Sequence, residues 1–520
     1  MKTLRDLSLV AAMAALAPTA QAQNVGAACG CPPVSSRTTV NISTLVDANN
    51  NLLSSNTVLT CNNLYILNTR MYVNAGQDLF IEPGTVIKGN SNPGAAHAII
   101  VARDGQIWAN GSESCPIIMT AAADPLDGSY AVTNRGQWGS LIVLGRAYTN
   151  KRTTDGDPTA TATNGVGTIE GLAAGDSRHL YGNPVGTELN DDNSGVLRYV
   201  SLRHGGQVIG ANNEINGLTL GGLGRGTTID HIEVVSNLDD AFEFFGGTVN
   251  AKYLVGMHCD DDYIDWDQGY SGKLQFLYNV QGPDNSGGAL NQGDNGIEAD
   301  GDDAATNFAN GGLRSTPVVY NATFIGRNNN DEGIEAKERT QGIIVNSVFA
   351  RFAQGLNMTT EVETFWNSNE FQVRNCTFQG VTNAIRINGA FPAVGSPAHT
   401  KFFTTDGNLA VAANALIDAT YNMPLPGNAI SGNDRLNPVP AAGTAATTLT
   451  PPVDGFFSGA KYRGAFQPGA QPWTKGWTLA EQLGLDLSVV SGCLGDLNND
   501  GLINASDFGL FVPRFGLSCY

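Results

Sequence analysis

Two sets of acidic residues stand out by type and spacing. Near the C-terminus, Asp496, Asn498, Asp500, Asn504 and Asp507 fall at positions 1, 3, 5, 9 and 12 of a twelve-residue stretch, with Gly501 at position 6 and Leu502 at position 7. Oxygen donors at those places, a glycine at the sharp turn and a main-chain carbonyl at the seventh are what a hard cation such as Ca²⁺ requires. The expected ligands are the side chains of Asp496, Asn498, Asp500 and Asp507, the Leu502 carbonyl, and Asn504 directly or through water. The three carboxylates repel one another without a cation, so binding contributes to the folding of this segment.

The second set runs through the centre of the chain. Asp239-Asp240-Ala241-Phe242-Glu243, Asp261-Asp262-Tyr263-Ile264-Asp265, Asp294-Asn295-Gly296-Ile297-Glu298 and Asp331-Glu332-Gly333-Ile334-Glu335 share one form: acid, acid or amide, any residue, apolar, acid. If each is one strand of a stack, the apolar fourth residue points inward and the third and fifth point outward. Glu243, Asp265, Glu298 and Glu335 then line one outer face, and Asp240, Asp262, Asn295 and Glu332 line the adjacent turn. Carboxylates on adjacent strands lie about 4.8 Å apart. That spacing suits a bridging Ca²⁺ or an acid/base pair for glycoside hydrolysis. Asp240, Glu243, Asp262, Asp265 and Glu298 are therefore the catalytic candidates.

Other chemistry is less well supplied. A polysaccharide lyase needs an Arg or Lys base beside a calcium-bound uronate. A polygalacturonase needs clustered Asp with a His and an Arg-x-Lys. Gly301-Asp302-Asp303 and Arg386-Ile387-Asn388 are fragments of the latter, with Asn in place of Lys and no Gly-His-Gly. His204 and His258 fit equivalent strand ends and His231 a different register, which suits structural roles. No CxxC, HxH or HExxH suggests zinc. Trp108, Trp138, Trp266 and Trp366 offer faces for sugar rings, whereas Trp473 and Trp477 read as packing of loops and caps.

The elements that position these groups are short strands. From about residue 40 to 480, runs of Val, Ile, Leu and Phe alternate with small or polar residues and end in Gly, Asn or Asp turns, which is an all-β pattern. Asn321-Ala322-Thr323-Phe324, Asn346-Ser347-Val348-Phe349 and Asn375-Cys376-Thr377-Phe378 repeat at offsets of 25 and 29 residues. Similar but unequal periods indicate stacked coils with loops of varying length. The Asn residues are expected to form a hydrogen-bonded ladder at a turn, the Phe residues an internal stack, and Cys376 a small buried thiol. The fold expected is a right-handed parallel β-helix over residues 41–485. Residues 390–455, rich in Pro, Ala, Gly and Thr, are expected to be loops over it. A short amphipathic helix from Thr478 to Leu485 is expected to cap its end.

Composition agrees with this and excludes alternatives. Lys+Arg 29 against Asp+Glu 48 gives a formal charge of −19, unsuited to nucleic acid. Charged residues at 15% with Gly 63 do not suit a coiled coil. Lys2 and Arg5, the apolar run Leu7 to Ala17 and Ala20-Gln21-Ala22 make residues 1–22 a secretory signal. No later run is long and apolar enough to span a bilayer. A secreted or cell-surface location permits disulfides among the eight cysteines. Cys493 and Cys519 bracket residues 493–520 and are the best pair. Cys29, Cys31, Cys61 and Cys115 fit pairing near the N-terminal end, with connectivity open.

The segments Asn213 to Leu220, Asp239 to Gly247, Lys461 to Phe466 and Trp473 to Thr478 resemble a family of secreted bacterial right-handed β-helix proteins, largely uncharacterised, many with C-terminal sorting or attachment modules. The resemblance covers roughly residues 70–485 and implies the fold but no catalytic residues. Residues 493–520 resemble a dockerin repeat. A dockerin carries two such loops and this segment shows one, so a cohesin-like partner stands beside surface attachment as its expected use. The leading functional expectation is a calcium-stabilised binding or adhesive protein that meets a glycan or cell-surface component. The alternative is a secreted polysaccharide-degrading enzyme, a lyase or a glycoside hydrolase.

Overall fold

The computed structural model describes residues 25–92, 96–152, 161–210, 213–282, 293–301, 313–327, 332–417, 436–447 and 449–482. The signal segment, the calcium loop with its six ligands and the Cys493–Cys519 pair lie outside the described residues.

The chain coils into a parallel β-helix with three faces. The first face starts at Asn56–Leu59 and ends at Phe371–Arg374. The second starts at Thr38–Asn41 and ends at Leu409–Val411. Five long strands, from Gly195–Arg203 to Val318–Ile325, run through the bend between these faces and join them into one sheet. The third face stacks ten parallel strands, from Met71–Val73 to Asn383–Ile387.

Parallel pairing in strict register makes each inward position a row along the axis. On the third face that row is Met71, Ile99, Leu141, Leu218, Phe242, Ile264, Ile297, Ile334, Leu356 and Ile385, all buried in one apolar core. Phe324, Phe349 and Phe378 stack inside with ring centroids 5.3 and 5.4 Å apart, as the repeat predicts. Cys376 beside them is a buried free thiol whose ionisation burial pushes up to about 12.

The bend between the first and second faces needs a residue with φ near +60°, which Asn adopts at little cost. Asn321, Asn346 and Asn375 hold it at φ 59°, 53° and 54°. Asn375 Nδ2 donates to Asn346 Oδ1 at 2.8 Å, the expected ladder bond. Asn321 and Asn346 donate instead to the returning chain, at Tyr462 O and Leu449 O. Tyr199, His231, Tyr253 and Phe276 continue the same row towards the N-terminus with positive φ, and their rings stack 4.2 to 4.9 Å apart. Ring stacking there offsets the strain that left-handed backbone imposes on a bulky residue.

Two end segments cover the second face. Residues at the N-terminus are tied down by Cys29–Cys115 and Cys31–Cys61. Buried Arg37 also donates to Pro32 O, Gly84 O and Val25 O. At the other end, Ala465, Phe466, Trp477, Leu479 and Ala480 pack on Val235, Val255 and Tyr278. The helix expected to cap the solenoid lies on its flank instead. Leu479–Gln482 begins where Leu479 N and Ala480 N each donate to the Glu233 carboxylate at 3.0 Å. The C-terminal coils are closed by other residues: Val362 and Trp366 of helix Thr360–Ser368, and Phe402, which prolongs the phenylalanine stack.

Candidate functional site

The acidic set falls in register on the third face. Glu243 pairs with Asp265, Asp265 with Glu298, and Glu298 with Glu335, between Thr219 on one side and Asn357 and Arg386 on the other. At the turn before it, Asp262 N donates to Asp240 Oδ1 at 2.9 Å, Asn295 N to Asp262 Oδ1 at 2.5 Å, and Glu332 N to Asn295 Oδ1 at 3.3 Å. Each side chain thus satisfies the main chain of the next coil, which a buried turn requires. Asp240 and Asp262 are almost fully enclosed in this role, Asp262 at 3% exposure. They are rungs of the scaffold rather than groups a substrate meets. The third position of the motif is also corrected: Ala241 and Tyr263 point into the core.

Burial and crowding drive these carboxyls apart in acidity. Desolvation, with the charges of neighbouring acids, raises Asp240, Glu243, Asp262 and Asp265 well above the ordinary range. The same causes push Asp239 to about 8, Asp261 to about 7 and Asp300 to about 10. Glu298 goes the other way. Its own desolvation is outweighed by hydrogen bonds from Asp262 and Asp300 and by the Lys337 ammonium, which lies 2.6 Å from Glu298 Oε1. Lys337 also approaches Asp300 and Glu335, each at 3.9 Å, and the acidic groups around it raise its pKa despite desolvation. At the far end desolvation lifts Glu332 to about 7, opposed by Arg386 at 3.3 Å.

One part of the face fits a cation. Single oxygens of Asp240, Glu243 and Asp265 lie within 4.8 Å of one another. Asn216, 3% exposed, donates its Nδ2 to Glu243 Oε2. Asn216 Oδ1 and Asp265 Oδ1 are buried with no partner among the described residues. An all-oxygen donor set of this kind suits Ca²⁺.

Several expectations about single residues resolve here. Trp138, Trp266, Trp366 and Trp477 are fully buried, so none offers a face to a sugar. Trp108 is partly exposed and stacks on Phe80. His204 and His258 do occupy equivalent strand ends, both at positive φ, and burial lowers their pKa to about 4 and about 3. The repeat did not single out Lys337 or Asp300. Both belong to the acidic strands or their immediate continuation, so the signal was present as one basic residue two positions after Glu335.

The architecture is a coiled parallel sheet with a carboxylate row on one face and Lys337 among those carboxylates. The chain belongs to the pectate-lyase-like β-helix family, whose model, described as "Pectate-lyase like beta helix domain", matches residues 51–421. Among solved structures, the catalytic unit of a thermostable GH87 alpha-1,3-glucanase from Streptomyces thermodiastaticus strain HF3-3 is similar at 10% identity. That match covers 73% of this chain and 69% of that one with a TM-score of 0.29. No curated protein matches the chain.

Proposed function

We propose that the protein is an exported polysaccharide hydrolase whose active face is the acidic row of the third sheet. The observation that carries this is the split among its carboxyls: Glu298 is held ionised by a hydrogen bond from Asp262 and by Lys337, while Asp261, the more exposed of the two, is raised by desolvation and the charges of Asp294 and Glu298 and keeps a proton to about pH 7. Groups pushed apart in this way are what an acid/base pair requires. Asp261 protonates the leaving oxygen, and Glu298 acts as base or nucleophile on the other side. A lyase is less well served, because Lys337 is held protonated by Glu298 and the other acidic groups around it and cannot take a substrate proton. Ca²⁺ at Asp240, Glu243, Asp265 and Asn216 neutralises the row and fixes its geometry. The two N-terminal disulfides support export, and residues 493–520 serve as a calcium-dependent attachment segment.

The test is release of reducing ends from a panel of acidic and neutral polysaccharides, with Ca²⁺ or a chelator. Wild type is expected to turn over at least one of them, and Glu298→Gln to lose roughly 10²–10⁴-fold. Binding to a polysaccharide with no turnover on any would return the protein to the binding or adhesive reading.

A further inference from the structure

The outward row that carries Glu243 continues towards the N-terminus as Thr219, Ile142, Ile100 and Tyr72. Beyond Thr219 the row is apolar, and a hairpin covers it. Strands Val166–Thr168 and Leu180–Gly182 pair antiparallel, and Ile169, Leu172 and Tyr181 pack with Tyr72, Ile100 and Ile142. The hairpin is fastened in two places. At its base Gly182 N donates to Gly145 O at 2.9 Å, and Arg103 NH1 donates to Gly182 O at 3.0 Å. Its tip, residues 169–179, reaches the first strand of the third face, Met71–Val73. That strand lies two coils from Leu141–Leu144, which precedes Gly145, so about 10 Å of axis separates the two fastenings.

The tip is held through His179, which is 2% exposed. Its Nδ1 lies 3.0 Å from Ala173 O, which can only accept, so Nδ1 carries the hydrogen. Nε2 is then an acceptor, and the Tyr72 hydroxyl donates to it at 2.8 Å while accepting from Arg70 NH1 at 3.2 Å. A proton added at Nε2 sets two donors face to face, or turns the hydroxyl and leaves its own hydrogen without a partner. The charged groups around His179, among the described residues, are Arg70 beside Tyr72 and Arg178 and Asp176 of the tip. Arg178 lies 3.6 Å over the Tyr72 ring and donates to Asn49 O and Asn51 Oδ1, each at 2.8 Å. Asp176 is 3.9 Å from His179 Nε2, but its oxygens already accept from Arg178 Nε, NH2 and main-chain N. Desolvation, with the charges of Arg70 and Arg178, lowers the pKa of His179. We propose that residues 169–179 form a pH-released latch: neutral His179 fastens the hairpin tip to Tyr72, and its protonation frees the tip and bares Tyr72, Ile100 and Ile142. A histidine lowered in the closed state favours closure above its ordinary value near 6.5. That preference is lost as pH falls, by about tenfold per unit until the closed-state value is reached. The latch does not depend on the hydrolase reading, and release lengthens the face open to a partner of any kind.

Hydrogen exchange on the full chain, corrected for intrinsic rate, tests this at pH 7.5 and pH 4.5. Glu170, at the same tip, is raised by desolvation and closes the tip more firmly as pH falls, so the comparison is made in Glu170→Gln. Residues 169–179 are expected to exchange at least fivefold faster at pH 4.5, while Leu218–Gly221 and Phe242–Phe245 change less than twofold. Adding His179→Gln, which has no titrating ring, is expected to abolish the difference. Should that variant fail to fold, Tyr72→Phe keeps the ring under Arg178 and removes the donor to Nε2. It is expected to exchange at least fivefold faster at the tip already at pH 7.5. Equal exchange at both pH values in Glu170→Gln, the same acceleration with His179→Gln added, or acceleration spread equally over the third-face strands overturns the proposal.

Discussion

Whether an acidic residue is available for chemistry depends on which way its oxygens turn. The sequence places Glu243, Asp265 and Glu298 on one face and Asp240 and Asp262 on the adjacent turn, and the register aligns the first three. It does not reveal that Asp240 and Asp262 accept amide hydrogens from the next coil, because hydrogen bonds between coils depend on loops of different length. The residues left to meet a substrate are Glu298, Asp265, Asp300 and the more exposed Asp261. Asp261 keeps a proton to about 7 through desolvation and the charges of Asp294 and Glu298. Activity that uses it as the acid must fall as pH rises through 7, since its conjugate base cannot protonate a leaving group. The acid limb belongs to Glu298, held below the ordinary range. A kcat/KM profile is expected to be bell-shaped with an alkaline limb near pH 7. Asp261→Asn is expected to lose roughly 10²-fold or more and to lack that limb. A limb that persists in a variant with residual activity assigns the acid elsewhere.

At the scale of elements, what was legible was what repeats in kind. Three Asn and three Phe at matching offsets announced a bend ladder and an internal stack, because identical side chains sit over one another when coils are in register. The other half of the same bend row, Tyr199, His231, Tyr253 and Phe276, shares geometry but not residue type and gave no such signal. The amphipathic segment at Thr478 was legible as a buried face, yet nothing local says which surface buries it. Glu233 decides that: it is fully buried, accepts from Ser201 Oγ, and satisfies the first two amides of the helix at Leu479 and Ala480, donors that a helix start leaves open. Glu233→Ala leaves both amides unmet, and buried donors left unmade cost about 1–3 kcal/mol each. Hydrogen exchange is expected to accelerate across residues 473–482 while the third-face strands stay protected. Phe349→Ala, in the middle of the stack, is expected to lower global stability by about 3–5 kcal/mol. If Glu233→Ala instead loosens all coils equally, the end segment is not a separable cover.

For the whole molecule, the acidic row is expected to set a dependence on pH and, through the proposed cation site, on Ca²⁺. Asp239, Asp261, Asp300 and Glu332 have folded-state pKa values of about 8, 7, 10 and 7, all above the unfolded carboxyl value. A raised carboxyl is protonated in the folded state where the unfolded chain has already released its proton. Its stabilising contribution is therefore complete below about pH 4 and is lost as pH rises through the folded value. Glu298 has the opposite sign, but it stands against several raised neighbours. Without divalent cations the melting temperature is thus expected to decline between about pH 5 and pH 8. A cation bound to the ionised row reverses that decline, since a ligand held by the folded state alone adds RT ln(1 + [L]/Kd), about 2.7 kcal/mol at a hundredfold excess over Kd. Ca²⁺ is therefore expected to raise the melting temperature by several degrees at pH 8 and hardly at pH 5. The C-terminal loop is a second expected site, so the measurement needs Asp496→Ala with Asp507→Ala. The Ca²⁺ effect on the main transition is expected to survive in that double variant and to shrink in Glu243→Gln with Asp265→Asn. If it vanishes with the loop and persists without the row, the third face holds its charge by protons alone, and calcium belongs only to the tail.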